Sequence, residues 1–432
     1  MHLAERAYAL VVLTAVLIIA GLWATDPALT GLWRWPAALL LLGLIVEGLL
    51  ARSSVIHAEV ETDERALLGR EQRAEFAFKN ESPRNLRLEY AVAVPPGFEA
   101  PAETRVISAP RGATARDAIP LLPVRLGVRR WPRIQARVQG RFGLAWWSRE
   151  LAPDRQISVA PDTLRSPRRR LSGKSTGMRP RRTVGAGSEL HQLRAYVKGD
   201  PISRIDWKAT ARAQRLVTRE FSEDQHLDVL VALDAGRLSR VRAGALDRFG
   251  LYANVAARLA EVVTPNDDRI GMVVYSDRIH AECAPDRGLR AVIRMRGALE
   301  QLAVQSAESD PVAAAARIRS MLKHRALVVF LTDLDDAAVA EQLARAVRLL
   351  SPPHLVVVAG IQSEEISELA RREARGWRDP WIALAAQEHE QRATAQRALL
   401  RRLGAPVIAA REDLLEQAVF DEYEALRRSR AI

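Results

Sequence analysis

Asp234 and Asp333 are the residues whose type and spacing point most directly to chemistry. Each closes an apolar run, "VLVALD" and "VVFLTD". In a parallel sheet, ligands bind at the carboxyl ends of the strands, which is where both carboxylates would stand. A hard cation such as Mg²⁺ asks for several oxygen ligands in near-octahedral array, and two carboxylates alone hold it weakly. Arg237, three residues after Asp234, supplies a guanidinium that can neutralise the pair instead. The same carboxylates can also serve as helix caps or an Arg-paired acidic rim. The expectation is therefore no bound cofactor, with a degenerate Mg²⁺ site at Asp234 and Asp333 as the alternative.

Other catalytic patterns are missing from the sequence. His191, His226, His280, His324, His354 and His389 show no HExxH spacing, and there is no G-x-S-x-G elbow. Cys283, the only cysteine, follows Glu282 in an expected loop and reads as an unreactive thiol. "GKS" at 173–175 resembles the end of a phosphate-binding loop, but Arg168 stands where the required glycine would be. The chain is not expected to be an enzyme; only a triad assembled by the fold itself stays open.

A second concentration of special residues is "LRAYVKGDPISRIDWKATAR", Leu193 to Arg212, which holds Arg194, Tyr196, Gly199, Asp200, Arg204, Asp206, Trp207 and Arg212. Gly199 permits a tight turn, Asp200 before Pro201 initiates one, and Asp206 is placed to cap the helical run "WKATAR". Arg194, Arg204, Arg212 and Arg219 can pair with Asp200, Asp206 and Glu220, while Trp207 is expected to bury most of its ring. The stretch reads as a salt-bridged brace between domains. Trp and Arg also dominate interface energetics, so a partner-binding surface on the same residues is compatible.

The elements that position these residues follow from hydropathy. Ala7 to Ala24 is eighteen residues without a charge, and a second apolar stretch runs from Leu32 to Ala51. Both are long enough to cross a bilayer, with Trp23, Trp33 and Trp35 at interfacial positions. Residues 1–52 are thus an expected transmembrane helical hairpin. Arg34 and Glu47 lie towards the ends of the second helix, where long side chains can reach water. The loop "TDPALTG" carries no Lys or Arg whereas Arg6 and Arg52 flank the hairpin on the other side, which puts both termini in the cytoplasm.

Residues 53–164 alternate apolar and polar with frequent Pro and Gly, the pattern of an antiparallel β-sandwich. Residues 165–226 hold the signature stretch just described, preceded by a basic arm. Between Arg165 and Gly187 that arm has eight basic residues and no acidic one, and it reads as a solvated linker or a lipid-adsorbed segment. Residues 227–432 alternate continuous apolar runs with helical segments, the pattern of an α/β domain with a mainly parallel sheet. The net charge of +12 fits an anionic membrane face or a nucleic acid, and the single cysteine excludes an intrachain disulfide.

The order of these parts, together with "GSELHQLRAYVKGDPISRIDWKATARAQRLVTREF", "NDDRIGMVVYSDRI" and "VVFLTDL", resembles the DUF58 family of bacterial membrane-anchored proteins. The resemblance implies a von Willebrand factor A-like domain at 227–432, whose metal-ion-dependent adhesion site would begin Asp-x-Ser-x-Ser. Here that motif reads "DAGRL", with Gly236 and Leu238 in the serine positions. It also implies an inner-membrane, cytoplasm-facing adaptor that binds protein partners, a MoxR-type AAA+ ATPase among them, in envelope maintenance or protein assembly. Two competitors differ in class. One is a membrane-tethered nucleic-acid binder using the basic arm, which contains no aromatic residue for stacking. The other is a Mg²⁺-dependent adhesion-type receptor, disfavoured by "DAGRL".

Overall fold

The computed structural model describes residues 2–23, 30–163, 184–185, 189–222, 227–302, 304–334 and 336–429. Of the basic arm only Val184–Gly185 fall within these, so the readings placed on the arm lie outside the described residues. The chain divides into two compact units, the first formed by Met1–Asp162, Arg240–Asn254 and Arg296–Val304 and the second by Thr163–Ser239, Val255–Met295 and Gln305–Ile432. The first unit thus takes in two segments that the sequence assigns to the α/β region.

In the first unit, β1 (His2–Leu3) leads into two apolar helices, α1 (Glu5–Trp23) and α2 (Arg34–Arg52), each long and apolar enough to cross a membrane. Strands follow in the expected rhythm: β2 (Ile56–Glu61), β3 (Arg65–Leu67), β4 (Gln72–Asn80), β5 (Leu86–Ala91), β6 (Phe98–Glu99), β7 (Thr104–Ala109), β8 (Thr114–Pro123), β9 (Gly127–Arg130), β10 (Ile134–Gln139), β11 (Ala145–Leu151) and β12 (Gln156–Ala160). They form sheets of order β1-β11-β10-β5-β7, β2-β4-β8-β6 and β3-β12-β9, antiparallel except for the β3–β12 pair. Alternation puts every second side chain inward. Phe76 and Phe78 of the four-stranded sheet therefore meet Tyr90 of the five-stranded one, at ring separations of 5.8 and 4.7 Å. The turn after β4 is tied by Asn80, whose amide donates to the carbonyls of Arg84, Ala109 and Pro110.

The second unit opens with a small antiparallel sheet of β13 (Val184–Gly185), β14 (Glu189–Ala195) and β15 (Val217–Ser222), with the helix α3 (Trp207–Ala213) between the last two strands. Next comes β16 (Asp228–Asp234), whose residues are all buried. In chain order come α4 (Arg248–Val263), β17 (Arg269–Tyr275), β18 (Ile279–Asp286), α5 (Gly288–Glu300), α6 (Pro311–Met321), β19 (Ala326–Leu331), α7 (Ala337–Leu350), β20 (Leu355–Ile361), α8 (Glu364–Arg371), α9 (Asp379–Arg402), β21 (Val407–Ala410) and α10 (Leu415–Ser429), of which α4 up to Asn254 and α5 from Arg296 belong to the first unit. The strands join as β18-β17-β16-β19-β20-β21, parallel throughout except for the edge strand β18. Cys283, expected in a loop, lies on that edge strand, where burial pushes its thiol above the usual value. At the amino end of the sheet, Asp268 accepts hydrogen bonds from Leu227 N, Tyr423 Oη at 2.6 Å and Arg427 Nε at 3.0 Å. These bonds tie α10 to the start of β16.

Candidate functional site

The carboxyl end of the parallel sheet gathers a polar cluster around Asp234. Asp234 is 1% exposed. Oδ1 accepts from the Gly236 amide at 2.8 Å and from Ser309 Oγ at 2.5 Å, and Oδ2 accepts from Thr332 Oγ1 at 2.6 Å. Ser239 Oγ donates to the Asp234 carbonyl at 2.7 Å. Asp333, two residues beyond β19, is buried as well. Asp310, next to Ser309, caps α6 by accepting from the amides of Val312 and Ala313.

Two expectations change here. Arg237 does not neutralise Asp234: its Nε donates to Glu308 at 2.8 Å. Nor is position 236 merely a missing serine. A Cβ added at Gly236 would overlap Ser309 Oγ, so the hydroxyl absent from the local motif is delivered from seventy-three residues away, and the glycine makes room for it. Ser309, Ser239 and Thr332 were not singled out from the sequence. "SDP" at 309–311, a helix-start signal, was the cue available for the first.

Desolvation pushes the Asp234 carboxyl above the usual carboxylate range; hydrogen bonds from Ser309, Thr332 and Gly236 pull the other way, and Glu308 adds to the rise. A carboxyl whose pKa is higher folded than unfolded stabilises the fold only while protonated. That contribution is complete below the unfolded value, about 3.9, and is lost as pH rises through the native one. Asp234→Asn should therefore match the parent near pH 4 and melt at a higher temperature at pH 7. Millimolar Mg²⁺ should leave both curves in place, whereas a site filled a hundredfold above its Kd would add about 2.7 kcal/mol. Thermal unfolding at the two pH values, with and without Mg²⁺, decides. A less stable Asp234→Asn at pH 7 would show that the hydrogen bonds outweigh desolvation.

Close to this cluster, Ser276 Oγ lies 2.6 Å from His280 Nε2, and it also donates to Asp277 at 2.7 Å. Asp277 approaches the same ring nitrogen, at 3.8 Å. A Ser-His-Asp relay needs the aspartate on the opposite nitrogen, so this arrangement cannot pass a proton along the chain of three.

The signature stretch is organised around Asp200. It takes a bidentate pair from Arg194, both contacts at 2.8 Å, and accepts from the Val197 amide at 2.9 Å, while Gly199 adopts φ of +115° to close the turn. The Arg194 hydrogen bonds hold the Asp200 carboxyl below its usual range. Tyr196, partly buried, donates its amide to Leu216 O. Asp206 caps α3 by accepting from Ala209 N at 2.9 Å, and Arg219 lies 3.8 Å from it. Among the described residues neither Arg204 nor Arg212 has an ion-pair partner.

Trp207 departs from expectation. Its side chain is 64% exposed, because α3 turns Ala209 and Thr210 towards β15 and the buried residues are Ile205, Val217 and Thr218. Ile202 is 72% exposed, and Leu193, Val197 and Leu216 are exposed as well. Lys198, Lys208, Arg212 and Arg215 stand exposed among them. The stretch is therefore a locked turn that displays apolar and cationic groups to solvent.

Glu47 also departs from expectation. It does not reach water: it is fully buried, and its carboxylate accepts the amides of Phe142 at 2.6 Å, Leu144 at 3.1 Å and Ala145 at 3.0 Å.

Residues 192–376 match the family model described as "Protein of unknown function DUF58", so the resemblance read from the signature is shown over that stretch. No curated protein matches the chain. Among solved structures, the conserved hypothetical protein BatB from Bacteroides thetaiotaomicron is 13% identical, with 47% of this chain and 99% of that one covered and a TM-score of 0.32. Proximal thread matrix protein 1 from the mussel byssus is also 13% identical, over 45% of this chain and 44% of that one, with a TM-score of 0.29. Native alpha-2-macroglobulin from Escherichia coli is 19% identical over 25% and 17%, with a TM-score of 0.21. All three scores fall below 0.5, too low to assign a fold by likeness.

Proposed function

We propose that the protein is a non-enzymatic adaptor held in the inner membrane by α1 and α2, with its other parts in the cytoplasm. Its sheet of β16 to β21 serves as a von Willebrand A-like scaffold, and the signature stretch is the surface that recruits a MoxR-type AAA+ ATPase in envelope maintenance or protein assembly. The observation that carries this reading is the display of Trp207, Ile202 and Val197 on a turn fixed by the Arg194–Asp200 pair. Exposed aromatic and aliphatic groups with cations around them suit a partner that offers an apolar pocket with an acidic rim. The closed hydrogen bonding of Asp234 argues against a metal-dependent adhesion role.

Affinity purification of the full-length protein from detergent-solubilised membranes should co-isolate an AAA+ ATPase identifiable by mass. Purification without any ATPase overturns the partner, and periplasmic activity of an alkaline phosphatase fused after Ile432 overturns the orientation with it.

A further inference from the structure

The turn between β10 and β11 runs alongside α2 well below the end of that helix. Arg149 Nη2 donates to the Ala51 carbonyl. One step along, Trp147 covers Gly48, where a Cβ would stand 2.7 Å from its ring. Ala145, Leu144 and Phe142 then give their amides to Glu47. Leu144 finally covers Gly43, with only 2.5 Å left for a Cβ. From Ala51 to Gly43 is eight residues, so the strand and turn follow the helix axis for about 12 Å. The residues leading into α1, with Arg6 in its first turn, meet the same turn and the start of β11. His2 and Leu3 pair with Trp146 and Ala145, Ala4 N donates to Leu144 O at 2.8 Å, and Arg6 Nη1 donates to Phe142 O at 3.1 Å.

If α2 left the bilayer before reaching this turn, only Arg34–Leu42 would remain inside. Nine residues span about 14 Å, less than half of a hydrocarbon core about 30 Å thick. Ile45 and Leu49, beyond Gly43, are moreover apolar and exposed. The turn must then sit at membrane depth. Its tip suits that place: Phe142 is 46% exposed and Arg141 beside it is exposed, so an apolar ring can bury among the upper acyl chains while the adjacent cation stays with lipid phosphates. The same placement accounts for an acidic residue on an apolar helix. The turn's backbone amides replace water around Glu47 and screen it from lipid.

We propose that the Gly140–Leu144 turn is a third membrane contact, inserted past the headgroup layer into the outer acyl region of an anionic phospholipid bilayer beside α1 and α2, with Phe142 among the upper acyl chains and Arg141 reaching back to lipid phosphates. This rests on reading the two helices as membrane-spanning.

The test uses the full-length protein carrying Cys283→Ser, with single cysteines introduced by Phe142→Cys, Val128→Cys, Val16→Cys or Leu41→Cys. Each is labelled with an environment-sensitive fluorophore and reconstituted into phosphatidylcholine–phosphatidylglycerol vesicles containing brominated lipid. All four positions are exposed, so labelling need not disturb a core. Position 16 should be quenched most by deeply placed bromines, and position 41, about 3 Å along the helix from Gly43, by bromines close to the depth of the turn. Position 142 should show a blue shift and be quenched most by shallow ones, and position 128 should be unaffected. Arg141→Cys gives a second reading of the same turn. Quenching at 16 and 41 with 142 and 141 behaving like 128 overturns the inserted turn and leaves the anchor standing. No quenching at 16 or 41 removes the anchor, and the proposal with it.

Discussion

Replacing Glu47 with alanine should lower the apparent melting temperature of the full-length protein in detergent by roughly 10 °C. The substitution leaves three amides of the β10–β11 turn without their acceptor, two of them buried. An orphaned buried donor costs about 1–3 kcal/mol, so the total should reach about 3–5 kcal/mol. In a unit of this size each kcal/mol moves the midpoint by about 2–4 °C. Glu47→Gln keeps one oxygen but turns an amide donor towards backbone donors, and should fall between the parent and Glu47→Ala. Gly140→Ala approaches the same contact from the other side, since a Cβ there would overlap the Glu47 carboxyl group, and should destabilise in the same direction. Trp146 and Trp147 lie on β11 directly after the turn, so their emission follows its unfolding. A Glu47→Ala protein that melts within 2 °C of the parent, roughly 1 kcal/mol or less, would show that the turn does not depend on this carboxylate.

What the sequence discloses is what periodicity encodes. The five apolar runs ending near Asp234, Tyr275, Leu331, Ile361 and Ala410 are all strands of the parallel sheet; the first four are almost wholly buried, and strands buried on both faces must be apolar throughout, while the last is a partly buried edge strand. The alternating runs at β2, β4, β5 and β10 are strands for the complementary reason, one face being wet. The antiparallel edge strand β18 escapes this logic: it is polar and only partly buried, so it reads as a loop.

Contacts made across long stretches of chain are the part that spacing hides. Glu47 finds its partners 95 to 98 residues away, and nothing near it in sequence announces them. Ser309 fills the place of a local serine from a different segment, and Gly236 looks like a loss until the Oγ beside it is seen. For the signature stretch, capping and turn chemistry were local and legible at Asp206, Gly199 and Asp200. The direction of Trp207 was not. A tryptophan is usually buried, but here the small residues Ala209 and Thr210 take the inward face of α3 and leave the ring outside.

That exposed ring sets the second large effect. Trp207→Ala removes a side chain that is 64% exposed, so the soluble part should lose well under about 1 kcal/mol and its melting temperature should barely move. If the ring anchors the ATPase, however, truncation should cost at least about 2 kcal/mol of binding, a loss of roughly thirtyfold or more in affinity. Ile202→Asp, at a still more exposed position, should behave alike. Asp206→Ala is the necessary contrast. It removes the cap of α3 and about 1 kcal/mol of local stability while leaving Trp207 in the sequence, so it should lower the melting temperature more than Trp207→Ala and binding less. Thermal unfolding and ATPase capture measured on the same three proteins separate recognition from bracing. A recognition surface makes binding follow the lost ring whatever the melting temperature does. A brace makes binding follow unfolding, and a Trp207→Ala protein that loses capture only as far as it loses stability would return the stretch to that role.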